Sequence, residues 1–411
     1  MEYKGIEYLR RKLRSKQDRV ILRYKYYEMK NQVKDFDIST PPNMKAMKAV
    51  LGWCGKAVDN LADRLMFCEF ENDNFELNQI FRMNNPDTFF DSSVLSALIA
   101  SCCFVYISPD ADGFPRLQVI DGGNATGIID PITGLLTEGY AVLDRKDNSN
   151  LFSAPISEAH FIKGRTDYYE NGKKTQSRKN NVPYPLLVPI IYRPDAVRPF
   201  GHSRISRACM GLIQSALRTL KRSEISAEYY SFPQKYILGM SSDAEEFDKW
   251  KASMSSMLRI DKDEAGDKPT VGQFAQQSMS PYTEQLRTIA SLFAGETGLT
   301  LDDLGFVTEN PSSAEAIKAC HENLRLVARK AQRYFGSGFL NVGYLAACLR
   351  DNYPYKREQL YLTKTVWEPI FEPDAAAIAM IGDGATKINQ SVDGYFGKNN
   401  LKKLTGINPE S

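Results

Sequence analysis

The sequence has very little of the equipment that enzymes and metal sites depend on. Only three histidines occur in 411 residues, and none is followed by a second histidine four positions later. The HExxH zinc motif is therefore absent. Neither GxxxxGK[ST] nor GxGxxG after a strand occurs, so no ATP or dinucleotide site is recognisable. These absences argue against a metalloprotease, an ATPase and a dehydrogenase.

The sequence also lacks the cysteine spacing of a disulfide framework and the long apolar run of a membrane span. The seven cysteines are an odd number and form no CxxC pair, which predicts free thiols in a reducing compartment. No apolar run reaches the roughly 18 residues of a membrane helix. The first residues, MEYKGIEYLRRKLRSKQDR, are too charged for a secretory signal. We therefore expect a protein that is assembled in the cytoplasm and does not associate with a membrane.

The sequence also lacks an excess of charge of either sign. The 52 basic and 50 acidic residues leave a net charge of +2, which argues against coating nucleic acid by bulk charge. Any basic contact surface must be local. Hydrophobic residues make up 43% and charged residues 25%, which is typical of a globular chain with a substantial core.

Helical and strand periodicities alternate along the chain and predict an α+β fold. Helices are expected in 1–35, from about residue 43, twice within 76–100, at 243–258 and at 281–297. Three antiparallel hairpins are expected between 101 and 181, the last with its turn at Asn171-Gly172. Strands are expected near 186–192, near 235 and around 362–368, and two small helices in 373–411.

The stretch GHSRISRACMGLIQSALRTLKRSE, residues 201–224, predicts an amphipathic helix that Ser203 would cap. Apolar positions such as Ile205, Leu212 and Leu220 share one side at 100° per residue, the side expected to be buried. A second arc holds the basic residues Arg204, Arg207, Arg218, Lys221 and Arg222. Two interpretations stay open: the solvated face of a helix packed on a core, or charge that is presented to a neighbouring subunit or to DNA.

A second long amphipathic helix is predicted after Pro311, where Ser312-Ser313-Ala314-Glu315 forms a capping box. Its charged face would hold Lys318, Arg325, Arg329 and Arg333. Glu322 is spaced to pair with Lys318 and Arg325, so solvated ion pairs are the simplest explanation of part of this stripe.

Asp302 and Asp303 are the best candidates for a metal-binding carboxylate pair, which would suit a metal-dependent nuclease. They lie in a predicted loop without other ligands nearby in the sequence. We therefore expect no catalytic residue, no metal and no cofactor. A long chain without catalytic groups is more typical of a structural or assembly component.

Several segments resemble the portal proteins of tailed phages with long flexible tails. FGHSRISRACMGLIQSALRTLKRSEISAEYYSFPQKYILG is similar to the centre of that family, with Gly201 and Ser203 at the helix entry and Pro233, Gln234, Lys235 and Gly239 at its exit. GLTLDDLGFVTENPSSAEAIKA, DADGFPRLQVID and TKTVWEPIFEPDAAAIA resemble further family segments. The similarity covers roughly residues 40–400, and the order of the segments is more specific than any one of them.

The resemblance implies a ring of subunits built from a wing, a helical stem, a small α/β clip and a short helical crown. It assigns most of the wing to 1–203, the two stem helices to 204–230 and 281–298, and the clip to 231–280. A tunnel loop would occupy 299–312, with Asp302, Asp303, Thr308, Glu309, Asn310 and Pro311 as its candidate DNA-facing residues. The long wing helix and return strand would occupy 313–365, and the crown 366–411.

The implied function is a dodecameric conduit at one capsid vertex of the virion, through which double-stranded DNA is packaged and ejected. The implied partners are further copies of the chain, the terminase large subunit, the major capsid protein, the scaffold and the head-tail adaptor. A different head-tail connector or minor head assembly protein is the nearest alternative, and a metal-dependent nuclease is the more distant one.

Overall fold

A computed structural model describes residues 3–34, 48–231, 235–238, 270–273, 278–306, 321–371 and 375–405. The chain has the α+β fold that the periodicities predict. The predicted helix at 243–258 and the capping box at Ser312 to Glu315 lie outside the described residues.

Four of the described helices lie before residue 101, and five lie after residue 206. They are α1 (Ile6–Tyr27), α2 (Trp53–Ala62), α3 (Leu77–Arg82), α4 (Pro86–Ala100), α5 (Arg207–Ser231), α6 (Ser280–Thr297), α7 (Glu322–Arg350), α8 (Ala375–Ser391) and α9 (Lys398–Thr405). Short 3₁₀ turns occupy Asp302–Leu304 and Arg357–Leu360. None of these helices combines the length and the apolar character that crossing a bilayer requires.

The strands within the described ranges form four antiparallel sheets. A five-stranded meander contains β4 (Ala125–Ile129), β5 (Leu136–Arg145), β6 (Pro155–Ile162), β7 (Arg165–Glu170) and β8 (Lys173–Lys179). In a three-stranded sheet, β2 (Cys102–Pro109) lies between β3 (Pro115–Asp121) and β9 (Leu187–Ile191). Two pairs complete the set: β1 (Phe67–Glu71) with β12 (Lys364–Trp367), and β10 (Lys235–Leu238) with β11 (Thr270–Gln273).

Turn chemistry sets the predicted hairpins in their register. Asp110 accepts hydrogen bonds from the backbone N–H groups of Asp112 and Phe114, at 3.0 and 2.8 Å, and closes the turn between β2 and β3. Asn171 and Gly172 have φ of 47° and 79°, the left-handed values that a two-residue hairpin turn requires. The predictions of these hairpins are confirmed.

The core forms where α7 crosses the three-stranded sheet and β12. A Cβ atom at Gly338 would lie 2.8 Å from Ile190 Cδ1, and one at Gly336 would collide with Thr365. Glycine at both positions therefore allows the helix to lie close to two strands. Beside this crossing, the rings of Phe90 and Phe339 are 4.8 Å apart and edge-on, within a larger aromatic cluster.

Two buried carboxylates attach α1 to the five-stranded sheet. Glu138 accepts hydrogen bonds from the backbone N–H groups of Lys4 and Gly5, each at 2.8 Å, where α1 begins. Glu158 accepts two hydrogen bonds from Arg10, at 3.0 and 2.6 Å, and this bonding raises the pKa of Arg10. Both carboxylates are 1% exposed, so their pairing offsets the cost of removing them from water.

One predicted boundary is wrong. The helix expected from about residue 43 begins at Trp53, and residues 48–52 are not helical. Val50 is 60% exposed, although its spacing predicts a place on the buried face. Apolar spacing alone overestimated the length of this helix, because a periodic residue needs a neighbour to bury it.

Candidate functional site

The helices α5 and α6 form an antiparallel pair that extends from the core; we call it the helix pair. At one end, Ser206 donates a hydrogen bond to the Glu296 carboxylate at 2.9 Å. Towards the other end, the hydroxyls of Ser226 and Tyr282 are 2.8 Å apart. Pro281 in the first turn of α6 and Gly298 in left-handed conformation after its last turn define that helix's limits.

The start of α5 differs from the prediction by three residues. Ser206, not Ser203, accepts the hydrogen bond from the backbone N–H of Cys209, at 3.1 Å, and so caps the helix. Ser203 is buried and donates to the carbonyl of Ile99 at 2.6 Å. The prediction of Ser203 as the cap is therefore wrong, because its hydroxyl is used by the end of α4.

We expect Ser206→Ala to lower the free energy of unfolding by about 1 kcal/mol, since it removes the cap. Ser223→Ala, in the middle of the same helix, is the matched control and should have little effect or stabilise slightly because alanine favours a helix. Urea unfolding of both variants measures the difference. Equal stability of the two would contradict the assignment of the cap.

Arg204 does not lie on an exposed basic face. It precedes α5, is 7% exposed, and donates from Nε to the carbonyl of Ala57 at 3.1 Å. A second guanidinium nitrogen donates to the carbonyl of Thr297, the last residue of α6. A cation at a helix C-terminus is favourable, because the last carbonyls have no partner within the helix. Arg204 therefore fastens the helix pair to α2.

The other predicted basic residues of α5 do not form one solvated stripe either. Arg207 is exposed, whereas Lys221 is 3% exposed and Arg222 is half-buried. Arg218 donates to the carbonyl of Lys34 at 3.4 Å and to the hydroxyl of Ser215 at 3.0 Å. The interpretation of the five cations as one exposed face is corrected: the chain's own contacts involve at least Arg204 and Arg218, and Lys221 is buried.

The exposed side of the helix pair is an open groove of about 510 Å³. Its lining residues are Ala208, Gly211, Leu212, Leu292, Gly295 and Glu296. Leu292 is 59% exposed, and a Cβ atom at Gly211 or Gly295 would have no heavy atom within 4 Å. The groove is mostly apolar and its glycines leave room for close approach, so it has the form of an uncovered packing surface.

The sequence did not predict this groove. It assigned Leu212 to the buried face, and the structure places it half-buried on the groove. The available signal was the spacing Ala208-x-x-Gly211 in one helix and Leu292-x-x-Gly295 in the other, which puts a small residue beside an apolar one on the same face. We call the surface formed by the six residues that line it the "stem groove".

The first half of the predicted tunnel loop packs on the core. The Asp303 carboxylate accepts hydrogen bonds from the backbone N–H and the hydroxyl of Thr300, at 2.8 and 2.9 Å, which caps a 3₁₀ turn. The ring of Phe306 lies 6.3 Å from that of Trp53. Within the described ranges no group of three or more histidine, cysteine or acidic residues could hold a metal ion, and Asp302 has no such partners. Thr308, Glu309, Asn310 and Pro311 lie outside the described residues.

The long helix α7 shows the predicted charged face as far as the structure describes it. Arg325 donates two hydrogen bonds to Glu322, at 2.6 and 2.7 Å, and this pairing lowers the pKa of Glu322. The predicted pair between them is confirmed. Arg329 and Arg333 are exposed, and Lys318 lies outside the described residues. This half of the stripe is thus a solvated helix face with local ion-pair support.

The apolar groove on the helix pair is an exposed surface that another protein chain could cover. Comparison with known proteins makes the class specific. The family described as "Phage portal protein, SPP1 Gp6-like" matches residues 6–388. Because this match spans most of the chain, the chain belongs to the phage portal protein family, which confirms the resemblance seen in the sequence.

Two curated relatives are similar to the chain at 23% identity. The portal protein of Mycobacterium phage L5 aligns over 386 residues, which are 88% of this chain and 77% of that protein. The portal protein of Mycobacterium phage D29 aligns over 404 residues, which are 93% of this chain and 81% of that protein.

Solved structures with a similar fold come from gene transfer agent particles. A chain of the virion of the native particle is 11% identical, with a TM-score of 0.49 and coverage of 95% of this chain and 94% of that one. A chain of the neck of the native particle, computed with C12 symmetry, is 12% identical, with a TM-score of 0.44 and coverage of 87% and 90%.

Proposed function

We propose that the chain forms a closed ring of twelve copies at one vertex of a phage capsid, through which double-stranded DNA passes. The single observation that carries the proposal is the family match over residues 6–388. The ring would be part of the virion and would be assembled in the host cytoplasm. It would have no catalytic activity of its own, and nothing in the family match indicates catalysis.

The stem groove supports the ring. A second copy of the helix pair would cover Leu292 and remove an exposed leucine from water, which is favourable by roughly 25 cal/mol per Å² of apolar surface. The surface that packs into the groove would differ from the groove itself, and such a head-to-tail interface generates a ring when the rotation closes. Arg207 is exposed at the base of α5, beside the groove residue Ala208, and would meet the neighbouring subunit.

The regions of the ring would follow the segments that the resemblance implies. The wing would comprise 1–203 together with 313–365, and the helix pair would be the stem, at 204–230 and 281–298. The clip would be 231–280, which includes the β10 and β11 pair. The tunnel loop would be 299–312, and 366–411, with the helices α8 and α9, would be a short crown.

The proposed partners are DNA in the tunnel, the terminase large subunit, the major capsid protein, the scaffold and the head-tail adaptor. The low net charge of +2 suits a conduit, because each phosphate that a protein neutralises adds salt-dependent affinity and would retard sliding. Arg329 and Arg333 are the exposed cations of α7 that remain candidates for contact with DNA or with a neighbouring subunit.

Mass photometry of the purified full-length chain, followed by negative-stain imaging, tests the ring. We expect a particle of twelve times the 46.4 kDa chain mass, with a central hole. The same ring should be visible at one vertex of capsids from infected cells. Capsids in which the chain is present in one or two copies would contradict the proposal and favour a minor head assembly protein.

A further inference from the structure

A basic pocket of about 220 Å³ lies between α1 and the loop that leads to the helix pair. Its lining includes four cationic side chains, from Lys16, Arg19, Arg23 and Arg198. Three of them come from one face of α1, where spacings of three and four residues place side chains together. Phe200 and Gly201 form the opposite wall.

The pocket has no acidic counterpart among the described residues that line it. Asp121, next to the lining residue Gly122, is already engaged: it accepts hydrogen bonds from the hydroxyl of Tyr24 at 2.7 Å and the N–H of Gly123 at 2.6 Å. Burial raises the pKa of the Cys102 thiol to about 11, so this group is neutral at physiological pH. Four cationic side chains thus line the pocket, and no carboxylate lines it.

Two of the four cations, Lys16 and Arg23, are held in place by the chain's own contacts, and Arg19 and Arg198 are exposed. Lys16 Nζ lies 4.1 Å from the centroid of the Phe200 ring, and Arg23 donates to the carbonyl of Ala100 at 2.7 Å. Burial lowers the pKa of both Lys16 and Arg23, because their charges are partly removed from water. Within the part of the chain that the structure describes, neither Lys16 nor Arg19 forms an ion pair. An anion in the pocket would offset this cost.

We propose that this pocket binds a phosphate group. A phosphate monoester or inorganic phosphate carries a charge of about −1.5 to −2 at pH 7, which matches a cluster of four cations better than the single charge of a carboxylate. Guanidinium groups such as those of Arg19 and Arg198 bind phosphate oxygens through two parallel hydrogen bonds. The volume is below the roughly 300–1,000 Å³ of pockets for drug-sized ligands, so a small anionic group fits it.

Phosphate oxygens have two sources in the cell: free phosphate, with the charge given above, and the DNA backbone, in which each phosphodiester carries a single charge. The proposal does not rest on ring formation, because one chain supplies every lining residue. Its failure would therefore leave the portal function untouched, and the loss of rings would leave the pocket testable in the monomer.

Isothermal titration calorimetry of the full chain with inorganic phosphate, in chloride buffer at constant ionic strength, tests the site. We expect saturable binding that weakens at least tenfold in the double variant Arg19→Ser/Arg198→Ser. Arg14→Ser is the matched control, because Arg14 is an exposed cation of the same helix that does not line this pocket. No saturable binding, or equal binding by all three proteins, would overturn the proposal. Equal thermal unfolding in chloride shows that the variants are folded.

Competition identifies the source. If a 20-base-pair duplex displaces phosphate from the wild-type chain and loses affinity for the double variant, the site takes DNA phosphate. If the duplex neither displaces phosphate nor distinguishes the variants, the site takes free phosphate. If poly-glutamate binds the pocket more tightly than phosphate and loses this binding in the double variant, the proposal is wrong and the pocket accepts an acidic protein segment.

Discussion

Replacing Arg204 by methionine is expected to lower the free energy of unfolding by about 3–5 kcal/mol. The side chain is 7% exposed and donates to the carbonyls of Ala57 and Thr297. Methionine fills a similar volume and removes both hydrogen bonds. The carbonyl of Thr297, at the end of α6, would be left without a donor at a cost of about 1–3 kcal/mol, and loss of the hydrogen bond from the charged guanidinium to Ala57 adds about 1.5–3 kcal/mol.

The matched control is Arg207→Met, which removes the same charge from an exposed position three residues later. A surface change of this kind is expected to stay within about 0.5 kcal/mol. Urea unfolding should be compared at a protein concentration where all variants have the same oligomeric state. Arg204→Lys should restore only part of the loss, because an ammonium group lacks the fork that reaches both carbonyls. Equal stability of Arg204→Met and Arg207→Met would contradict this role.

Local chemistry made much of the fold predictable. Gly172 after Asn171 permits one specific turn, and that turn sets the pairing of β7 with β8. Glu322 and Arg325 interact across one helical turn, so their pair follows from spacing alone. The order of the portal-like segments predicted the family, and the family match confirms it.

Arg204 shows why the rest could not be predicted. Its partners lie in α2 and at the end of α6, 147 and 93 residues away, and a helical wheel contains no information about either. The wheel also assumed that α5 begins before Arg204, whereas the Ser206 cap excludes Arg204 from the helix. An arginine in a polar arc is normally solvated, and only the tertiary fold reveals a buried one.

The stem groove could not be predicted for the opposite reason, since its apolar residues are exposed where the sequence predicts burial. Hydrophobic periodicity identifies Leu212 as a residue that avoids water, but does not say whether its own chain or a neighbour covers it. In the single chain Leu212 is half-buried and Leu292 is exposed. An exposed apolar surface and a core have the same sequence pattern, and the structure separates them.

Gly211→Trp is expected to abolish the ring while leaving the subunit folded. No heavy atom lies within 4 Å of the position where a Cβ atom at Gly211 would be, so a side chain can leave the helix here without a clash at its first atom. Tryptophan is also a better helix former than glycine, which should keep or slightly raise the stability of the monomer. Between subunits, the indole would occupy the space that a neighbouring helix needs. Overpacking costs about 1–3 kcal/mol, and a closed ring repeats that cost at every interface.

Gly382→Trp provides the control, because Gly382 is also an exposed helical glycine with no heavy atom within 4 Å of its Cβ position, in α8. Mass photometry should show rings for the wild type and Gly382→Trp, and monomers for Gly211→Trp, with the same far-ultraviolet circular dichroism in all three. Normal rings with Gly211→Trp would exclude the stem groove as the subunit interface. Loss of rings in both variants would show that assembly is sensitive to bulk at distant surfaces. Only loss confined to Gly211→Trp assigns the groove to the neighbouring subunit, because the two changes are chemically identical and differ only in the surface on which they lie.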